Sequence, residues 1–212
     1  LQSNTIYTQV TGNTTVGTVS FTPSTNPLGN VTSITTGYWD GVAVTDDGQK
    51  MFIYNYGSGI LYYSIYNKTT SLWGAPTNIN TFTAATLISC CIKSDGSRIF
   101  LAGYANPQWG TWNGASFTMT TITNSKSYQG LDMTPDGNRV ILSADFVYFT
   151  TWNGTGYDTL TSTGISVSAN CRGVGVSRDG HKLAFADGTS LKTAFWNGST
   201  YVLNSSINIT LP

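Results

Sequence analysis

One hairpin is written four times along this chain, and that repetition limits what it can fold into more than any other feature. The hairpins centre on Asp47-Gly48, Asp95-Gly96, Asp136-Gly137 and Asp179-Gly180, spaced 48, 41 and 43 residues apart. The positions around each Asp repeat in kind. Six before it stand Gly41, Ser89, Gly130 and Gly173, all small. Five before it stand Val42, Cys90, Leu131 and Val174, and three before it Val44, Ile92, Met133 and Val176. Apolar residues at period two mark a strand with one apolar face. Three after the Asp a basic residue recurs (Lys50, Arg98, Arg139, Lys182), and the next residue opens a second apolar strand. Asp-Gly between two such strands signals a tight hairpin, because glycine supplies the positive φ the turn needs.

A second hairpin follows in every copy. Sixteen to nineteen residues after the Asp, an aromatic precedes Asn: Tyr66-Asn67, Trp112-Asn113, Trp152-Asn153 and Trp196-Asn197. In three of the four the next residue is Gly, which closes the turn. Each repeat therefore reads as four short strands, and a period of about 40 to 45 residues built that way is the signature of a β-propeller blade. The expectation is an all-β fold, a small β-propeller of four full four-stranded blades over residues 38–86, 87–127, 128–170 and 171–212, forming one domain. Residues 1–37 hold only two strand candidates, Thr5 to Val10 and Thr18 to Pro23. They predict an N-terminal half blade, for four to five blades in all. An unpaired hairpin has open edges, which offers a route to self-assembly through residues 1–25.

Composition narrows the function classes. Charged residues make up only 9% of the chain, ten basic residues balance ten acidic ones, and every acid is Asp. That leaves no clustered positive surface of the kind nucleic acid requires. No apolar run approaches the roughly 18 residues of a membrane-spanning helix. Three cysteines, two of them adjacent, make neither a disulfide framework nor a metal-binding spacing, and predict buried free thiols. No cofactor and no metal site is expected.

The run "VSRDGHKLAF" (Val176 to Phe185) and its three copies resemble the Ser-x-Asp-Gly hairpins of WD40-like propeller repeats, and the "WNG" turns resemble those of phage and large-virus surface proteins. The resemblance covers residues 38 to 212. It implies the fold and a secreted or virion-surface setting, and little about activity, since propellers host many unrelated functions. The Gly-His and Trp-Asp dipeptides of WD40 repeats are missing. The sialidase-type Asp box is also missing, because it needs one residue between Asp and Gly.

Up-and-down blades place the two hairpin turns of each repeat on one face of the disc and the remaining connections on the other. Sequons stand at Asn13, Asn30, Asn67, Asn153, Asn197, Asn204 and Asn208, and four of them (Asn13, Asn67, Asn153, Asn197) fall at hairpin turns. Glycans there would coat the turn face. The connector face would gather Trp39, Asp40, Tyr128, Gln129 and Arg172, with Tyr104 and Trp109 from the other turns. Aromatic rings beside amides and a few charges suit carbohydrate. Catalysis finds little support in the residue types. The single His181 falls at a turn, the repeated Asp residues are consumed by turn geometry, and the basic residues after the turns are expected to pair with those Asp residues or to be solvated. The leading expectation is a non-catalytic extracellular or virion-surface module for attachment, lectin-like or receptor-binding, with a glycan or cell-surface receptor as partner. The alternative is a structural subunit of a surface filament, fibre or capsid decoration. A weaker alternative is a glycoside hydrolase using Asp40 and Asp132, since such chemistry needs paired carboxylates.

Overall fold

The computed structural model describes residues 39–82, 87–168, 171–188, 190–205 and the backbone of 209–210. The proposed N-terminal half blade and the sequons Asn13, Asn30 and Asn208 lie outside the described residues.

Four antiparallel sheets follow one another along the chain. Sheet 1 comprises β1 (Trp39–Val44), β2 (Lys50–Asn55), β3 (Ile60–Asn67), β4 (Leu72–Trp73) and β5 (Thr77–Thr81). Sheet 2 comprises β6 (Leu87–Ile92), β7 (Arg98–Gly103), β8 (Gln108–Trp112) and β9 (Phe117–Thr121). Sheet 3 comprises β10 (Gly130–Met133), β11 (Arg139–Ser143), β12 (Phe146–Thr151) and β13 (Thr161–Ser166). Sheet 4 comprises β14 (Gly173–Val176), β15 (Lys182–Asp187), β16 (Ser190–Trp196), β17 (Tyr201–Leu203) and β18 (Ile209–Thr210). Each runs up and down in chain order. The outermost strand is split in two in sheets 1 and 4, where β5 rejoins β3 and β18 rejoins β16.

The repeated turn has a repeated cause. Gly48, Gly96, Gly137 and Gly180 all have positive φ, between 66° and 78°. The preceding carboxylate caps the turn: Asp136 Oδ1 accepts from Asn138 N at 2.9 Å and Thr134 Oγ1 at 2.7 Å, and Asp179 Oδ1 accepts from His181 N at 3.0 Å and Ser177 Oγ at 2.6 Å. Crowding explains the small residue six places earlier at Gly41 and Gly130, but not at Gly173, where an added Cβ would meet only the Ala186 side chain at 3.9 Å. A Cβ on Gly130 would stand 2.6 Å from Ser143 Oγ and 3.3 Å from the Arg172 carbonyl oxygen.

These caps make the fold acid-sensitive. Burial pushes Asp136 up, but hydrogen bonds from Thr134 and Asn138 outweigh it and hold the carboxyl below its ordinary 3.8. Asp47 and Asp179 are lowered chiefly by the Thr45 and Ser177 hydroxyls. A folded-state pKa below the unfolded one contributes stability that is complete above the unfolded value and is lost as pH falls through the folded one. Asp132 works in the opposite sense, since burial raises it, but it is one group against several. The urea midpoint is therefore expected to be lower at about pH 3 than at about pH 5. A midpoint unchanged or higher at the acid end would contradict the capping role.

The core lies between sheets. One cluster around Phe52, Tyr54, Leu61 and Leu101 joins sheets 1 and 2. A second, around Phe100, Trp109, Val140 and Tyr157, joins sheets 2 and 3. A third, around Ile141, Phe149, Phe185 and Tyr201, joins sheets 3 and 4. Inner strands pack in sequence, β1 on β6, β6 on β10 and β10 on β14, and no comparable packing joins sheet 4 to sheet 1 among the described residues. The architecture is propeller-like, and the described residues form an arc of four sheets.

The basic residues after the turns are not used as expected. Arg98 and Arg139 neither pair with their own turn Asp nor point into solvent; each crosses to the next sheet. Arg98 donates to the carbonyl oxygens of Asp136 at 2.7 Å and Gly137 at 3.0 Å, and its guanidinium lies 4.2 Å from the Trp152 ring centre. Arg139 donates to Gly180 O at 2.7 Å and lies 3.9 Å over Trp196. The three cysteines are free and buried, and burial pushes Cys90 up to about 12.

Candidate active site

The connections opposite the Asp-Gly turns carry one polar cluster that is both organised and reachable. The tight turn between β11 and β12 holds Asp145, and Tyr148 follows three residues on along β12. The connector leaving sheet 2 brings Lys126. Lys126 Nζ donates to Asp145 Oδ2 at 2.7 Å, and the Tyr148 hydroxyl donates to Asp145 Oδ1 at 2.8 Å. The ammonium also lies 5.8 Å from the Tyr148 ring centre. The hydrogen bond from Lys126, helped by that from Tyr148, lowers Asp145, so the carboxylate is ionised at neutral pH. The same contact raises Lys126, which is therefore charged. Burial and the neighbouring carboxylate raise Tyr148 and hold it as the neutral phenol. Lys126 and Asp145 border a cleft of about 390 Å³ that Ser127, Ala144 and Val167 also line.

Sheet 4 repeats the Asp at the equivalent turn, and the comparison separates structure from site. Asp187 is bonded to Lys192 and accepts from Ser168 N at 2.6 Å. Its side chain is 11% exposed, against 48% for Asp145. Asp187 ties a connector down, whereas Asp145 keeps a solvent-facing side on which a water or substrate can sit. Among the described residues no three His, Cys or Asp side chains come together to hold a metal ion.

The residues singled out from sequence fare unevenly. Trp109 and Tyr128 are corrected: both are buried in the core between sheets 2 and 3. The Trp109 ring packs edge-on against Trp152 at 5.4 Å and Tyr157 at 5.7 Å, and the Tyr128 ring against Tyr148 at 6.0 Å. Neither offers a face to a sugar, although Tyr128 backs the ring that holds Asp145. Gln129 lies near the cluster, donating to Ser127 Oγ at 2.9 Å. Tyr104 and Arg172 are exposed. Trp39 and Asp40 open β1, two sheets away, where Trp39 packs on Tyr62 at 5.5 Å. Asp132 accepts from its own neighbour Met133 N and from Val176 N of sheet 4, both at 2.8 Å. Both of its oxygens are engaged between inner strands, and no glycosidase-type pair with Asp40 is assembled. Of the described sequons, Asn67, Asn153 and Asn197 use their side-chain oxygens to cap their own turns, and the Asn204 backbone N–H donates to Thr193 O at 2.8 Å. Sequence reasoning missed Lys126, which stands in a connector outside the repeated hairpins. The only signal for it is a lone cation in an otherwise uncharged stretch.

No family model and no curated protein sequence matches this chain. Solved structures do. A provisionally assigned 6-phosphogluconolactonase from Bacteroides uniformis superposes with a TM-score of 0.68 at 13% identity, over 83% of this chain and 56% of its own. A second, from Bacteroides fragilis, gives 0.66 at 15% identity over 84% and 56%. The hydrazine synthase of Kuenenia stuttgartiensis gives 0.59 at 12% over 82% and 49%. The chain thus spans about half the length of the structures it matches, and at these identities the shared property is the fold. The fold is that of the lactonase-type β-propellers, and the WD40-like assignment of the repeat is not what the matches support. They also correct the expectation of a non-catalytic module for adhesion or structure. The best-superposing of these structures are assigned as enzymes, so the scaffold is matched to a catalytic one.

Proposed function

We propose that this chain is part of a lactonase-like hydrolase that opens a polyhydroxylated lactone bearing an anionic group, with chemistry at the Asp145 cluster. The observation that carries the reading is the superposition of more than four fifths of this chain on provisionally assigned 6-phosphogluconolactonases. The chemistry of the cleft supports it. Lactone opening needs a water whose oxygen bonds to the carbonyl carbon while its proton leaves. The ionised Asp145 orients that water and takes the proton. The Lys126 ammonium stands beside the position where negative charge grows on the carbonyl oxygen. The ring C–O bond then breaks and its oxygen leaves as a hydroxyl, taking a proton back from the cluster. Lys126 and the exposed Arg172 supply positive charge on this face for an anionic substituent. A strained six-membered lactone is a reactive ester, so a weak base held in place suffices. The ring to which the arc belongs is built from repeats related to the WD40-like hairpin.

The test is hydrolysis of 6-phosphogluconolactone by the purified chain and by Asp145→Asn. The substitution is expected to lower kcat about a hundredfold, the range of a lost general base, with an unchanged circular dichroism spectrum. An unchanged kcat would move the chemistry elsewhere.

A further inference from the structure

Asp145 faces the cleft with both carboxylate oxygens already taken. Tyr148 donates to Oδ1 at 2.8 Å and Lys126 to Oδ2 at 2.7 Å. The two donors are held very differently. Tyr148 is 6% exposed, and its ring packs edge-on against Tyr128 at 6.0 Å and Phe146 at 6.5 Å. It cannot turn away without emptying that packing. The Lys126 side chain is 37% exposed and is held at its tip. Its connector is pinned on either side: Asn124 N donates to Asn106 Oδ1 at 3.0 Å and Tyr128 N to Gly103 O at 2.7 Å. Between these pins Ser125 and Ser127 are exposed. The ammonium can therefore change partner while the connector stays in place.

The matching pair in sheet 4 shows what a permanent bond looks like. Lys192 reaches Asp187 from within the same hairpin, and the two side chains are only 26% and 11% exposed. Five residues after Asp145 stands Thr150 rather than a cation. The cation of sheet 3 comes instead from outside the hairpin, across a cleft open to solvent.

A carboxylate that holds two donors is a poor base. Both contacts favour its charged form, and Lys126 contributes the larger share. Taking a proton from water becomes easier when one donor leaves. Tyr148 is locked, so the donor that can leave is Lys126, and an anion is the acceptor that competes best for an ammonium.

We propose that the substrate switches on its own base: the anionic group of the lactone draws the Lys126 ammonium off Asp145 and onto the substrate, while Tyr148 keeps the carboxylate in place. The switch rests on the lactonase reading above. Two effects then act in one direction. Asp145 loses its strongest donor and gains a negative neighbour, and each favours its protonated form. No covalent bond changes, and Lys126 keeps its charge and its protons. The other elements around Asp145 do not oppose the exchange. Tyr128 directs its hydroxyl to Asn124 O, Val167 N donates to the Asp145 carbonyl oxygen and brings no charge, and Asp187 is closed on Lys192. The exposed Arg172 adds attraction for the incoming anion. A lactone without the anionic group leaves the clamp closed, so it loses in kcat and not in KM alone.

The experiment has two arms. In the first, the carboxyl carbon resonance of Asp145 is followed against pH in inorganic sulfate, which stays doubly charged over the range, and in chloride at equal ionic strength. Sulfate is expected to raise the Asp145 midpoint by about one pH unit. In Lys126→Met the midpoint is expected to be higher from the start and to ignore sulfate. A wild-type midpoint that sulfate leaves unmoved overturns the proposal, and so does a shift that persists in Lys126→Met. In the second arm, at neutral pH, the lactone lacking its phosphate is hydrolysed with and without inorganic phosphate, and the rate in buffer alone is subtracted. Phosphate is expected to raise kcat severalfold in the wild type and not in Lys126→Met. No acceleration, from a chain that opens the phosphorylated lactone, overturns the switch. A midpoint that responds to sulfate in a chain that opens neither lactone supports the exchange at Lys126 and overturns the catalytic reading alone.

Discussion

Phe100→Ala is expected to lower the stability of the fold by about 3–5 kcal/mol, the cost of emptying a fully buried aromatic site. Phe100 is the centre of the junction between sheets 2 and 3. On β7 it pairs with Cys91 on one side and Trp109 on the other, and it is 0% exposed. Its ring meets Tyr157 edge-on at 5.4 Å, a contact worth about 0.5–1.5 kcal/mol beyond the area it buries. The site cannot collapse, because Tyr157 is anchored by its hydroxyl, which donates to Gly137 O at 2.6 Å. Phe100→Leu refills most of the volume and is expected to cost no more than about 1.5 kcal/mol. Urea unfolding of the two variants checks both values. A loss below about 1 kcal/mol for the alanine variant would mean that sheet-to-sheet packing does not carry the stability.

Arg98→Ala is expected to cost about 3 kcal/mol, more than most side chains outside an apolar core. Arg98 is 8% exposed. It makes two charge-assisted hydrogen bonds to turn carbonyls of sheet 3, and its guanidinium stacks on Trp152. Such bonds are worth about 1.5–3 kcal/mol each and the stack up to about 2, but they share one side chain and do not add. Removing it leaves Gly137 O with only Tyr157 as donor and strips the face of Trp152. Arg98→Lys keeps the charge without the fork and is expected to recover less than half of the loss. Lys50 is the built-in control. Its one bond across the junction is long, 3.5 Å and exposed, so Lys50→Ala is expected to stay within about 0.5 kcal/mol. The comparison is made by urea unfolding at matched salt, and equal losses at the two positions would contradict the junction account.

These two residues also show which part of the fold was legible in sequence. The hairpins were legible because their causes are local: an Asp that caps, a Gly at positive φ, and apolar alternation on either side. The recurrence of Arg98 and Arg139 was equally visible, but their destination was not. The offset between one sheet and the next is a tertiary quantity that local spacing does not carry, so a cation three residues past a turn reads as the turn's own partner. Trp109 shows the same limit. An aromatic near a strand end suits a ligand-facing turn and a packing flank alike, and only its register opposite Phe100 decides for the core. Tyr66-Asn67 is followed by Lys rather than Gly; the turn there lengthens, with Ser71 at φ 56°, and the outer strand of sheet 1 breaks into β4 and β5. The cluster at Asp145 was half legible. Asp145 falls after the second strand of its repeat, where the pattern places a turn, but Lys126 comes from a connector outside the repeated hairpins, and no periodic reading finds it. The enzyme-like scaffold was not legible at all, since the repeat pattern speaks to the sheet and is silent on chemistry.

The most direct test of the catalytic reading is the rate at which the purified wild-type chain opens 6-phosphogluconolactone, followed as proton release in weak buffer against the uncatalysed rate. The account predicts saturable hydrolysis well above background that falls with Asp145→Asn. A rate equal to that of buffer alone, from a folded chain in its native assembly state, would contradict it.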